Sequence, residues 1–503
     1  MEDRLRRAVA MAVEAGYQID KEAFDLLKDL SGNVDPIQLM EKTLERVRRL
    51  REETFIIQRG LLEEVAETLL PREETVVPEP CTPSRKPYAR EVEADIKILQ
   101  DPTGRISTKS SIEGYLEYFR DRFRRLQRLL RQRMDAKDAI SIFEALKMPA
   151  NSKVKVIGMI TEKREQRRRF LIRIEDEEAR ATVFVPPTAE RGLIEKARRL
   201  VLDQVVCVAA VKGRNDLLIA EDFIWPDLPE RKPNRAPIPV YAVLISDLHV
   251  GSRLFAEREF ERFIRWLNGD LGDARLRELA GHVKYVVVAG DIVDGVGVYP
   301  EQIEELAIQD IYEQYRETSR LFGRIPDHVE ILVIPGDHDA TRRALPQPAI
   351  PKEYAEPLYE AGNVHVLGNP CMVSLHGVRL LLYHGRSLID VMASVPGVNF
   401  QNPVEAMKVL LQGRHLAPSY GQRTPIAPEG RDFMVVEEEP DIFHVGHIHV
   451  LGHDIYRGTL LVSSGSWQRQ TKYQEKMGLK PDFGVASVVN LQTLEVTPIN
   501  FLA

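Results

Sequence analysis

Aspartate, histidine and glycine gather at five places in the second half of this chain. These are Ser246-Asp247-Leu248-His249, Gly290-Asp291-Ile292-Val293-Asp294, Pro335-Gly336-Asp337-His338-Asp339, His384-Gly385-Arg386 and Gly446-His447-Ile448-His449. Carboxylate oxygens and imidazole nitrogens suit Mn2+, Fe2+ or Zn2+, whereas a sulfur-rich site would turn away the harder ions. One carboxylate shared by two ions about 3.5–4 Å apart makes a centre that can hold a hydroxide and clamp a phosphate. The Asp-x-His and His-x-His pairs would set two ligands on one side of an extended backbone, because side chains there alternate with period two. Glycines beside the ligands allow tight turns and close backbone approach. A single histidine in such a loop is more often structural than a ligand; five loops of this composition in one order are not a coincidence to expect. All 12 histidines fall at or after His249. Those outside the motifs (His282, His328, His365, His376, His415, His444 and His453) read as surface or core residues.

Each motif follows a short apolar run that reads as a buried strand: VYAVLI, YVVVA, VEILVI, VRLLLY and DIFHV. Runs of this kind belong to an α/β domain, in which ligands collect beyond the carboxyl ends of the strands. The domain is expected over residues 236–503. Before it, KVKVIGMITE, RFLIRIED, ARATVFVP, QVVCVAAVKG and DLLIAEDFIWP give five strands, with the helical stretch TAERGLIEKARRL between the third and fourth. That is the layout of an OB-fold barrel. Phe170 and Phe184 make a thin stacking platform for single strands, so a structural, partner-docking barrel is the preferred expectation.

Upstream of the barrel, Leu116, Phe119, Phe123, Leu126 and Leu130 recur at helical spacing, with seven arginines between Arg120 and Arg133 on the other faces. Such a basic face is more commonly exposed and paired with local acids than applied to phosphate. The helical lead-in and barrel are placed at 101–235, after a proline-rich linker at 71–100. Residues 1–70 form an N-terminal helical domain, in which Asp20 caps KEAFDLLKDL, Ser31-Gly32-Asn33 stops it and Asp35-Pro36 starts the next helix. The 503 residues thus read as a multidomain α/β chain. A net charge of −7 argues against coating nucleic acid by bulk electrostatics. No run reaches the roughly 20 apolar residues of a membrane span. Cys81, Cys207 and Cys371 stand far apart, which excludes a disulfide framework and points to the cytoplasm.

In order, DLH, GDIVD, GDHD, HG and GHIH resemble the signature of calcineurin-like metallophosphoesterases. HDATRRALPQPAIP, RHLAPSYGQRTPIAPEGRD, DIFHVGHIHVLG and SSGSWQRQTKYQEKMG resemble, more closely, the small subunit of archaeal family D DNA polymerase, over about residues 150–503. The resemblance implies a calcineurin-like α/β sandwich preceded by an OB-fold barrel and a small helical domain. It implies one divalent metal ion on Asp247, His249, Asp291 and His449, and a second on Asp291, Asp337, His384 and His447. Mn2+ is the first choice, with Mg2+, Fe2+ and Zn2+ as alternatives. It further implies that His338, oriented by Asp339, protonates the leaving oxygen, and that Arg386 contacts phosphate. The implied activity is a 3′–5′ exonuclease that proofreads a DNA 3′ end. The implied partners are a large catalytic polymerase subunit and, in addition, a sliding clamp. Asp337 departs from the asparagine usual at its position, which adds a negative charge beside the second ion. Another phosphoesterase of the superfamily, or a mainly structural subunit, stays open as the alternative.

Overall fold

The computed structural model describes residues 2–30, 36–50, 56, 57, 59, 61, 62, 65 and 86–502, apart from 109, 110, 168 and 477. The chain divides into two compact units, Met1–Arg85 and Lys86–Ala503. The first unit contains helices Glu2–Glu14, Lys21–Leu30 and Pro36–Leu50, with a short parallel pair β1 (Gln18–Ile19) and β2 (Ile56–Ile57). Ala8, Ala12, Leu27, Leu39, Met40 and Ile57 are buried together. The Asp20 carboxylate accepts from the Ala23 amide (2.6 Å), satisfying a donor that the first helical turn leaves free. The expected stop at Ser31–Asn33, the cap at Asp35 and the proline-rich stretch from 71 to 85 lie outside the described residues.

The second unit holds a barrel and two sheets. Strands β4 (Lys153–Gln166), β5 (Arg169–Glu175), β6 (Arg180–Val185), β7 (Val205–Lys212) and β8 (Leu217–Ile224) close in the order β4-β5-β6-β8-β7. Helix Arg191–Arg199 sits between the third and fourth in sequence. Alternation decides the packing: Phe170, Ile172 and Ile174 point inward along β5, while Arg169, Leu171 and Arg173 face out.

One sheet runs β12 (Val364–Val366), β11 (Glu330–Ile334), β10 (Val283–Ala289), β9 (Tyr241–Ile245), β18 (Val485–Asn490) and β19 (Val496–Asn500), its first four strands parallel. The other runs β16 (Gly452–Tyr456), β17 (Thr459–Ser463), β15 (Ile442–Val445), β14 (Val378–Tyr383), β13 (Cys371–Leu375) and β3 (Ile96–Gln100). The sheets pack face to face through Leu244, Val287 and Leu332 on one side and Leu380, Ile442 and Val462 on the other. Helices cover both outer faces: Phe260, Phe263 and Tyr315 against the first sheet, Met407, Leu410 and Leu411 against the second. Both faces of the parallel strands are therefore dry, which is why their sequences read as unbroken apolar runs.

Two sequence expectations change. Ile96–Gln100, placed at the end of the linker, is an edge strand hydrogen-bonded to β13. The helix Ile112–Arg131 does not keep all its arginines outside. Arg122 and Arg125 are buried, and Leu116, expected on the apolar stripe, is half exposed. Arg122 donates to the Asp432 carboxylate (2.7 Å), to Pro418 O (2.7 Å) and to the Tyr118 hydroxyl (2.9 Å). The helix thereby locks the barrel, against which Phe123, Leu126 and Leu130 pack, to the segment around Asp432.

Candidate metal centre

Five strand ends deliver the site. β9 leads into Asp247 and His249, β10 into Asp291, β11 into Asp337 and His338, β14 into His384, and β15 into His447 and His449. The first three strands belong to one sheet and the last two to the other, so the pocket sits where the two sheets meet. Three groups have ligand atoms within 4.8 Å of one another: Asp247 with His249 and His449; His249 with Asp291 and His338; Asp291 with His384 and His447. Asp291 and His249 link the groups into one cluster.

The backbone reaches this arrangement by a route other than strand alternation. Asp247 (φ 54°), His249 (52°), Asp291 (51°), His447 (66°) and His449 (59°) all adopt the left-handed conformation. The backbone at these ligands is not extended as expected, and the outcome divides: Asp247 and His249 fall in one group, whereas His447 and His449 turn to different groups of the cluster. Left-handed non-glycine residues cost about 1–3 kcal/mol each and are characteristic of functional sites. Glycines permit the closeness. A Cβ at Gly336 would come within 2.2 Å of the Asp291 carboxylate, and one at Gly446 within 2.5 Å of that of Asp247.

Hydrogen bonds fix the rings. His384 Nδ1 donates to Ala289 O (2.8 Å), leaving Nε2 toward Asp291 Oδ2 at 3.3 Å. His249 Nδ1 lies 3.0 Å from Asp294 Oδ1, so its Nε2 faces inward, 3.4 Å from His449 Nε2. His449 Nε2 is 3.2 Å from Asp247 Oδ1. Burial opposes ionisation of Asp247, yet His449 outweighs it and holds the carboxyl at about 2. Burial pushes His447 down to about 4, which keeps that imidazole neutral. Asp247 Oδ1, His384 Nε2 and His447 Nε2 are buried and make no well-aligned hydrogen bond, although the first two lie 3.2 Å and 3.3 Å from His449 and Asp291. Buried polar atoms are seldom left so. Carboxylates and imidazoles converging in this way could hold a divalent cation.

Asp337 and Arg386 stand at the pocket's open side. Arg386 donates to Asp337 Oδ1 (3.2 Å), and the other Asp337 oxygen lies 3.6 Å from His447 Nδ1. The extra charge of this aspartate thus has a cationic neighbour of its own.

Asp339 does not orient His338. Its carboxylate accepts from the Gly336 amide (2.8 Å) and the Tyr315 hydroxyl (3.2 Å), tying down the loop. Burial and the adjacent Asp291 charge push it up to about 7. His338 is held by Asp294 instead, its Nδ1 donating to the Asp294 carbonyl (2.7 Å). Asp294 is the residue to which the sequence motifs assign no role. Its carboxylate takes His249, Gln302 and Gln468, and its carbonyl takes His338. The only available signal was its place three residues after Asp291.

Residues 242–450 match the family model that describes the B-subunits of DNA polymerases alpha and epsilon. Over 94% of this chain, a DNA polymerase II small subunit of Archaeoglobus fulgidus is 38% identical, and 93% of that protein is covered. The counterpart from Methanocaldococcus jannaschii is 38% identical over 80% of this chain and 68% of its own length. That of Halobacterium salinarum is 34% identical over 98% of both.

Proposed function

The chain belongs to the archaeal DNA polymerase II small subunits, and from that membership we propose that it is the polymerase's metal-dependent 3′–5′ exodeoxyribonuclease. As a small subunit of a replicative polymerase it has a large catalytic subunit as partner. The observation carrying the proposal is the convergence of Asp247, His249, Asp291, His384, His447 and His449 in linked groups with ligand atoms within 4.8 Å, some of them buried without a well-aligned hydrogen bond. Desolvating such atoms without a partner costs about 1–3 kcal/mol each, so the fold keeps them for a ligand.

We place one ion on Asp247, His249, Asp291 and His449, and the other on Asp291, Asp337, His384 and His447. Two divalent ions there, Mn2+ by preference, supply Lewis-acid charge and lower the pKa of water. The chain's own residues do the rest. Asp294 holds the His338 ring by its Nδ1–H, which turns Nε2 toward the pocket as the proton donor to the departing 3′ oxygen. Asp339 keeps the loop carrying His338 against β10's end. Arg386, at the open side, is placed to meet a non-bridging phosphate oxygen of the DNA 3′ end.

The helix–sheet–sheet–helix layering supports a calcineurin-like phosphoesterase body, and the strand order of the barrel supports an OB-fold. The proposed domains are 1–70, the linker 71–100 with β3 returning to the second sheet, 101–235 and 236–503. A cytoplasmic location and a contact with the sliding clamp complete the proposal. A 3′-mismatched primer, offered with Mn2+ to this chain alone and with the large subunit, tests it. Wild type should release mononucleotides, and His338→Ala should lose about 10²–10⁴-fold in rate with its metal retained. No release from the 3′ end, or an undiminished His338→Ala, defeats the reading.

A further inference from the structure

The loop that follows Asp294 carries an aromatic ring to the rim of the pocket. The Tyr299 ring stands edge-on to His338, centroids 6.2 Å apart, and its side chain is 37% exposed. Its hydroxyl donates to Glu305 (2.8 Å). The loop itself is fastened to the site. Gln302 donates to the Asp294 carbonyl (2.8 Å) and accepts from the Val298 amide (2.9 Å), while Arg343 donates to Val298 O (3.0 Å). Gly295, at φ +73°, passes so close to His338 that a Cβ there would lie 2.3 Å from its carbonyl oxygen. The same residue, Asp294, therefore anchors the proton donor and the base of the Tyr299 loop. A ring already held at its hydroxyl and partly exposed loses little freedom when a flat partner docks on it.

We propose that Tyr299 is the stacking platform for the base of the 3′-terminal nucleotide, and this rests on the exonuclease reading above. Every base has a π face, so stacking seats any of the four nucleotides, whereas hydrogen-bond readout would favour one. That tolerance is what an enzyme removing whichever nucleotide was misplaced requires.

The test uses the full chain in complex with the large subunit and Mn2+. Two single-stranded oligonucleotides are compared, one ending in an ordinary 3′ nucleotide and the other in an abasic sugar. Tyr299→Leu should lower kcat/KM about tenfold on the base-bearing end, chiefly through KM, and leave the abasic end unchanged. Tyr299→Phe, which keeps the ring and loses only the bond to Glu305, should keep most of the preference for the base-bearing end, with a loss of no more than about threefold. Equal losses on the two ends, or no loss on either, overturn the inference. Equilibrium binding of the same oligonucleotides, followed by fluorescence anisotropy, makes the comparison without cleavage. Should wild type release no nucleotide, the exonuclease reading fails, and Tyr299 is judged by whether Tyr299→Leu weakens binding of the base-bearing end alone.

Discussion

Two clusters of buried charge in this molecule are made of the same residue types and put them to opposite uses. In the first, Arg122, Asp432 and His415 are held by one another and by the backbone, while Nε of the adjoining Arg125 is buried without a hydrogen bond. Asp432 Oδ2 accepts from Arg122 (2.7 Å) and pairs with His415 Nε2 (2.8 Å), and its Oδ1 accepts from the Met434 amide (2.9 Å). His415 Nδ1 in turn accepts from the Ala417 amide (3.1 Å). The second, at the strand ends, leaves Asp247 Oδ1, His384 Nε2 and His447 Nε2 without a well-aligned hydrogen bond and bends the chain left-handed at Asp247, His249, Asp291, His447 and His449. Burial and charge are common to both. Vacant lone pairs on a strained backbone separate a site from a lock.

The sharpest way to break this contrast is at Asp291. Asp291→Asn keeps the oxygen that accepts from the His338 amide (2.8 Å) but removes the charge shared by two of the ligand groups. Exonuclease activity should fall below detection and bound metal should drop, while the denaturation midpoint of the metal-free protein stays or rises. A variant that unfolds instead would make the pocket structural. The mirror experiment is Asp432→Ala, which strands Arg122 and should cost about 3–5 kcal/mol in urea unfolding. Activity per folded molecule should persist; its disappearance without loss of stability would blur the two regions.

Asp294→Asn is a smaller perturbation of the pocket. It weakens the hold on His249, and loss of such a supporting carboxylate typically reduces metal affinity about 10–100-fold. Mn2+ titration by calorimetry reads this directly, and unchanged affinity would remove Asp294 from the site. The smallest effect is one of pH and belongs to the lock. Burial, with Arg122 nearby, lowers His415 to about 4, against about 6.5 for an ordinary histidine. Between those values the unfolded chain binds a proton that the folded one refuses, so stability falls as pH falls. The expected loss is about 2 kcal/mol from pH 7 to pH 5. Asp432 adds to it at lower pH: burial alone would raise its carboxyl, but His415 and Arg122 hold it far below the ordinary range. His415→Asn should remove about 2 kcal/mol of the pH dependence between pH 7 and 5 relative to wild type, and identical slopes in the two proteins would contradict the account.

Sequence reading reached the positions of the strands and the loops that follow them because periodicity and residue type are local properties. It did not reach the backbone sign at Asp247 or His449, since spacing of two residues says nothing about φ. The division of labour between Asp294 and Asp339 was equally hidden. Both lie near the ligands in sequence, and only the path of the loop after β10 brings the Asp294 carbonyl under the His338 ring. Long-range pairing hid the rest. β3 finds β13 across some 270 residues of chain, and Arg122 finds Asp432 across 310. An arginine among arginines gives no local sign that it will be the buried one.

The left-handed ligands carry a consequence for how this subunit changes over many generations. Each of Asp247, His249, Asp291, His447 and His449 holds a conformation that glycine or asparagine would adopt with less strain. Substitutions to glycine or asparagine there release backbone strain, which offsets part of what the lost contacts cost. A polymerase that came to proofread elsewhere could let these positions drift and keep the scaffold. If the centre carries out the proposed cleavage, that reaction, and not stability, is what would hold these positions.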